Sequence, residues 1–293
     1  MEPGYVIVSD ATVDLPQDVV EKYEIQVIPM TFRMGETDYS FLPDEKNISC
    51  KEFYERLRDG EESVTTQINP VVYKDFFRSF LQEGLDVFYI AFSSGLSGTY
   101  NSARLMAEEV MEEFPQRKVL VFDSLCASIG EGLLVLEAAK RRQMGMSLSE
   151  VAEWTAKNNT RVCHWFTVDD LYHLKRGGRL NSLEALVGTA LKIKPVLSTD
   201  REGKLVVVAK LRGMKKAMEY LKERMVEDGT DPANQTVLIA HGDAPEALEA
   251  FKELIVSQTG VTDIITCNIG PIIGTHTGSG MLALTFFGEN YKF

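Results

Sequence analysis

Residues 86–103, DVFYIAFSSGLSGTYNSA, decide how this chain is read. The run 86–92 is apolar and β-rich, with the length of a strand. Ser93 to Gly98 supply hydroxyls and glycines for a turn, and a helix starts at about Thr99. A strand that feeds a helix through such a turn is the repeating unit of a parallel sheet with crossover helices. The alternation recurs along most of the chain, with further strands expected at 5–8, 25–32 and 118–122. Pro70 after Asn69 opens a helix to about Gln82, because proline has no N–H to lose in a first turn and asparagine caps it. Ser49 with Glu52, and Ser147 with Glu150, have the spacing of a capping box.

Beyond about residue 162 the pattern changes. A strand at 162–166 is followed by a Gly177-Gly178 turn, a hairpin of 193–197 with 205–210, and a tail of strands at 236–240, 264–268 and 282–287 around a helix at 244–257. The fold class is therefore α/β, in two domains. Residues 1–159 form an N-terminal parallel-sheet domain with flanking helices, and 160–293 a C-terminal domain with a mixed sheet. A length of 293 residues is enough for two cores.

Composition excludes several classes. Hydrophobic residues make up 44% and charged residues 25%, and no apolar run approaches the ~20 residues of a membrane span. The start, MEPGYVIVSD, lacks the basic and apolar regions of a signal peptide, so a cytoplasmic protein is expected. Cys50, Cys126, Cys163 and Cys267 are widely spaced, which points to neither a zinc site nor a disulfide framework. With 31 basic against 43 acidic residues the net charge is −12, a poor footing for nucleic acid or anionic membrane.

Three polar stretches can carry a site. The serine-rich turn after residue 92 lies where free N–H groups and the helix dipole favour an anion, at the sheet edge where α/β folds bind ligands. Ser63-Val64-Thr65-Thr66-Gln67 reads as a polar loop. Residues 270–280, GPIIGTHTGSG, read as a glycine-dense loop with His276 at its centre. His164 and His173 are read as structural, and His241 is undecided. Asp10 and Asp14 lack the Asp-x-Asp spacing of phosphoryl-transferring enzymes and are read as turn and helix caps.

Taken together and in order, Ser9-Asp10-x-Thr12-x-Asp14-Leu15-Pro16, the 63–67 stretch, residues 93–103, LYHLKRGGRL at 171–180 and residues 270–280 resemble the DegV family over nearly the whole chain. The resemblance implies two α/β domains that enclose a long-chain fatty acid of roughly C14–C18, and a partner fatty acid kinase that phosphorylates its carboxylate. It implies carboxylate contacts from Thr65 and Thr66, from Ser93 or Ser94, and from His276 and Thr277, with Arg176 and Arg179 near the head group or on the kinase-docking face. Where the family commonly has Thr-Ser-Gln-Pro, this chain has Thr65-Thr66-Gln67-Ile68, keeping the hydroxyls and losing the proline. On this reading the chain is a carrier with no catalytic residue, metal or cofactor, and most of the affinity comes from the methylene tail: at ~0.8 kcal/mol per CH₂, a dozen carbons contribute roughly 10 kcal/mol before association costs. The alternative from the enzyme class is a phosphosugar-binding isomerase, since serine-rich helix entries also hold phosphate. A serine hydrolase fails at the motif, because Thr99 stands where Gly-x-Ser-x-Gly needs its last glycine.

Overall fold

The computed structural model describes residues 4–169, 171–180 and 193–289. Its strands are β1 (Tyr5–Asp10), β2 (Gln26–Ile28), β3 (Met30–Met34), β4 (Thr37–Phe41), β5 (Ser63–Thr65), β6 (Asp86–Ala91), β7 (Val119–Asp123), β8 (Val162–Thr167), β9 (Ile193–Thr199), β10 (Leu205–Arg212), β11 (Val237–His241), β12 (Ile264–Asn268) and β13 (Leu282–Phe287). Its α-helices are α1 (Gln17–Lys22), α2 (Cys50–Arg58), α3 (Pro70–Gln82), α4 (Thr99–Glu113), α5 (Ile129–Gln143), α6 (Leu148–Asn158), α7 (Tyr172–Arg176), α8 (Met214–Asp228), α9 (Pro245–Thr259) and α10 (Pro271–Thr277).

These strands form three sheets. A parallel sheet has the order β2-β1-β6-β7, a small antiparallel one β4-β3-β5, and a mixed one β10-β9-β8-β13-β11-β12. In the mixed sheet β11 and β12 are parallel while β13 runs antiparallel to both β11 and β8. The fold class expected from the sequence is observed, a parallel-sheet region with a separate mixed sheet. The division at residue 159 falls between α6 and β8, and α5 packs on strands of both large sheets. Nearly every residue of its first ten is buried. That close fit needs Gly130 and Gly132: a Cβ on the first would overlap the His164 ring, and one on the second would come within 2.5 Å of the Val13 carbonyl.

Local signals hold at the helix starts. The Asn69 side chain accepts from Val71 N–H at the head of α3, and Ser49 Oγ accepts from Glu52 N–H at α2. The reciprocal capping box is complete at Ser147 and Glu150. Three expectations are corrected. The strand at 25–32 is two strands in different sheets, broken at Pro29, which has no N–H for the ladder. The polar loop at 63–67 begins as β5, which pairs with β3 through Phe32 opposite Thr65. Most of the glycine-dense loop at 270–280 is a helix, α10, with Pro271 in its first turn and Gly278, at φ +73°, ending it.

Candidate ligand cavity

Between the sheets lies a narrow, mostly apolar cavity, with about 90 Å³ open to the centre of a water-sized sphere. Protein interiors are close-packed with few voids larger than one water, which needs ~10–15 Å³ on this measure, so this cavity is far larger than an ordinary packing void. Its walls come from both halves of the chain: Phe92 and Leu96 after β6, Phe166 on β8, Leu205 on β10, and Ile272 and Ile273 on α10. Apolar walls of this kind favour an aliphatic chain and give sugar hydroxyls no partners.

One end is polar. Helix α10 contacts β5, which sets His276 Nε2 2.9 Å from Thr65 Oγ1. His276 Nδ1 is buried and has no hydrogen-bond partner among the described residues. Burial, and then the positive charges of Arg179 and Arg176 and the neighbouring His173, push the imidazole down to about 4, so the ring is neutral at pH 7. An anion placed here would offset those charges and favour the imidazolium.

Arg179 is half-buried on the cavity wall. Its guanidinium donates to the carbonyls of Leu96, at 3.2 Å, and Gly177, at 2.5 Å, and faces no carboxylate in any ion pair among the described residues. Arg176 is exposed and donates to the Ser63 carbonyl at 3.3 Å, reaching Glu62 at 3.5 Å. It therefore stands outside the cavity, beside the strand that carries Thr65.

The other sequence-derived candidates divide. Thr277 is on the wall, its hydroxyl donating to Ile273 O. Thr66 is exposed and donates to Thr31 O, on the outer side of the strand from Thr65. Neither Ser93 nor Ser94, the candidates of the serine loop, lines the cavity. Ser93 Oγ donates to Gly203 O at 2.9 Å and accepts from Gly95 N–H, so it ties the β9–β10 turn to the serine loop. Ser94 is exposed, its N–H bonded to Asp123. The hydroxyls of that loop that do face the cavity are Ser97 and Thr99.

Several polar residues that were not among the site candidates reach the cavity region from elsewhere. Thr12, Ser128 and Thr199 line it, as does His164. The His164 ring is occupied by the protein: Nε2 accepts from Ala127 N–H, and Nδ1 lies 3.1 Å from Val162 O. Asp14 does not cap the helix that follows it, whose N-cap is Pro16 without a side-chain cap; it accepts instead from Gly270 N–H and Ser128 Oγ. Asp10 accepts from the Thr12 N–H and from Tyr89. The undecided His241 accepts from Ala244 N–H at the head of α9, a structural role. Glu131, missed altogether, is fully buried in α5. A single carboxylate in the otherwise apolar run 129–136 is the signal that would have found it. Among the described residues no cluster of His, Cys, Asp or Glu fits a metal ion, and no helix is long and apolar enough to cross a membrane.

The fold and this site define the class: an α/β protein with a parallel-sheet region, a separate mixed sheet and an apolar cavity ending in a hydroxyl, an imidazole and a guanidinium. The family model of the DegV family matches residues 5–289, and the chain belongs to that family. It is 38% identical over 285 residues to a DegV domain-containing protein of Clostridium perfringens, covering 97% of this chain and 98% of that one. In three dimensions it is similar to a fatty-acid-binding DegV family protein from Thermus thermophilus, with a TM-score of 0.86 and 29% identity, over 98% and 100% of the two chains. A stearic-acid-binding protein from Eubacterium ventriosum has a TM-score of 0.86 and 25% identity over 97% and 98%.

Proposed function

We propose that this chain binds one long-chain fatty acid in the cavity and presents its carboxylate to a partner fatty acid kinase in the cytoplasm. The observation that carries the reading is the apolar cavity ending at Thr65, His276 and Arg179. The tail lies along the Phe92, Phe166 and Ile273 wall, and the carboxylate sits at the polar end with Ser97 and Thr277 beside it. Hydroxyls and a ring nitrogen provide the donors that a buried carboxylate needs, and Arg179 offsets its charge. The fatty-acid-binding relatives support the same reading.

On this reading the protein holds the acid, and the acyl-phosphate chemistry belongs to the partner. The docking face is the region around Arg176, where Tyr172 and Val64, 60% and 61% exposed, flank a basic helix end. In a chain of net charge −12, such a patch steers a partner that holds ATP phosphates. A phosphosugar site is disfavoured because its hydroxyls would face an apolar wall.

Native mass spectrometry of the purified protein, followed by solvent extraction, tests the binding. Close to one fatty acid per chain is expected. A protein that carries no acyl chain, and takes none up when offered, overturns the reading. For the partner role, Arg176→Ala should slow acyl-phosphate formation by a fatty acid kinase while the protein still takes up the acid. An unchanged rate removes that docking face.

A further inference from the structure

Ser128 and Asp14 form a pair that the binding reading leaves unused. Ser128 ends the loop that leads from β7 into α5, and it lines the apolar cavity. Its backbone stands at φ 53°, ψ −133°, a conformation that L side chains rarely adopt and that persists only where the surrounding structure enforces it. Asp14, in the loop after β1, is also left-handed, at φ 46°. Ser128 Oγ donates to Asp14 Oδ2 at 2.5 Å, while Asp14 Oδ1 accepts from Gly270 N–H at 2.8 Å. Both residues are buried. Gly132 permits the approach of this loop to α5, since a Cβ there would meet the Val13 carbonyl.

A serine held strained between a strand and a helix, its hydroxyl turned to a ligand site and the following N–H opening the helix, has the geometry of a nucleophile elbow. The usual sequence there is Gly-x-Ser-x-Gly, and residues 126–130 read Cys-Ala-Ser-Ile-Gly. A cysteine replaces the first glycine, yet the strained conformation is kept. Ile129 lines the cavity as well, and its N–H lies in the first turn of α5, where no carbonyl within the helix accepts it. His164 is on the same wall with Nε2 3.4 Å from the Ala127 N–H, so the acid or base in contact with the serine hydroxyl is Asp14. Asp14 in turn lines a second, polar pocket with Gln17, Glu45 and Asn268, where about 240 Å³ is open to the centre of a water-sized sphere. The pair thus joins an apolar cavity that fits an acyl chain to a polar pocket that fits a leaving group.

We propose that Ser128 is the nucleophile of an acyl thioesterase activity, with Asp14 as its general base and the apolar cavity as the acyl site. This goes beyond carriage of a free acid and does not depend on it. Ser128 Oγ adds to the thioester carbonyl carbon while its proton passes to Asp14 Oδ2, and the carbonyl oxygen takes up negative charge beside the Ile129 N–H. As the carbonyl re-forms, the C–S bond breaks, the thiolate takes the proton from Asp14, and the acyl chain remains as an ester on Ser128. Water then adds to that ester, giving a proton to Asp14, which returns it to Ser128 Oγ as the free acid leaves. A thiol, with a pKa of ~8.5, departs readily from such a weak base, whereas amines and alcohols do not. The titratable groups around Asp14 are Asp10 of β1, Glu131 of α5, Cys50 and Tyr54 of α2, Cys267 of β12, and Glu45 across the polar pocket, none of them a cation. Burial therefore holds its carboxyl at about 7, against the two hydrogen bonds it accepts.

The octanoyl thioester of N-acetylcysteamine, offered to the full chain freed of bound lipid, is the probe. Thiol release above the rate in buffer is expected, with an octanoyl group on the peptide that holds Ser128 after acid quenching. The acylation rate should rise with pH and level off above about 7, as Asp14 ionises. Ser128→Ala should abolish both acylation and turnover. Asp14→Asn, which keeps an acceptor for Gly270 N–H, should slow acylation about 100-fold or more and remove the pH dependence. A fluorophosphonate should label Ser128 of the unchanged protein, which keeps the test open if Ser128→Ala does not fold. Failure to release thiol overturns the proposal, as does turnover that survives in folded Ser128→Ala, or a label that maps only to other residues.

Discussion

His276→Ala removes the ring that bonds Thr65 and reaches the cavity with an unpartnered nitrogen. Two free energies separate in this variant. A hydrogen bond to a charged group contributes about 1.5–3 kcal/mol, so losing the ring should weaken fatty acid binding roughly 10- to 100-fold. The tail is untouched: each methylene against the apolar wall contributes ~0.8 kcal/mol, about fourfold in affinity. Displacement of a fluorescent fatty acid by saturated acids of increasing length, at neutral pH and below their micelle concentrations, measures both. Plotted as log Kd against carbon number, wild type and variant should give parallel lines, the variant displaced towards weaker binding. Coincident lines would remove His276 from the head-group site. A flattened slope would mean that the tail does not lie along the wall assigned to it. A thermal melt of the variant checks that the fold survives.

Arg179→Ala removes a positive charge that depresses His276, so the imidazole should titrate above its present value of about 4, as read by NMR of the ring protons, and fatty acid affinity should fall. Asp14, pushed up to about 7 mainly by burial, is more protonated in the folded than in the unfolded state. Its contribution to stability is therefore full below the unfolded pKa near 4 and is lost as pH rises through about 7. Asp14→Asn keeps an acceptor for Gly270 N–H and should flatten that loss in denaturant titrations at increasing pH. Gly203→Ala puts a Cβ onto Ser93 Oγ at a residue with φ +72°, and should cost about 1–3 kcal/mol in chemical denaturation. Ala283→Leu places extra methyl groups in the cavity; it should raise the melting temperature of the ligand-free protein through about 1 kcal/mol of added burial and weaken binding of the longest acids most.

Local chemistry carried much of the fold into the sequence. The strand-turn-helix stretch at 86–103, the Asn69-Pro70 helix start and the Ser147 capping box are read correctly because each depends on neighbours within a few residues. The split at Pro29 was also available locally, since proline interrupts a ladder wherever it falls. Helix α10 was misread because its five-residue start, Gly270 to Gly274, has the glycine content of a loop. It is held as a helix by packing against α2, β3 and β5, more than 200 residues away in sequence.

The site divides along the same line. His276 stands out in its glycine-dense surroundings, and Thr65 is a candidate only through the resemblance to the DegV family. Their 2.9 Å contact exists only because β5 and α10 meet in space. Within the serine loop, all four hydroxyls are alike in sequence; tertiary contact assigns Ser93 to the β9–β10 turn, leaves Ser94 exposed, and turns Ser97 and Thr99 to the cavity. Glu131 and Asp10 are linked only because the Thr12 hydroxyl stands between them. Periodicity and capping act over a few residues and are written in the sequence, whereas a cavity and the charge state of a buried acid depend on which distant side chains exclude water, and that is decided by the packed fold.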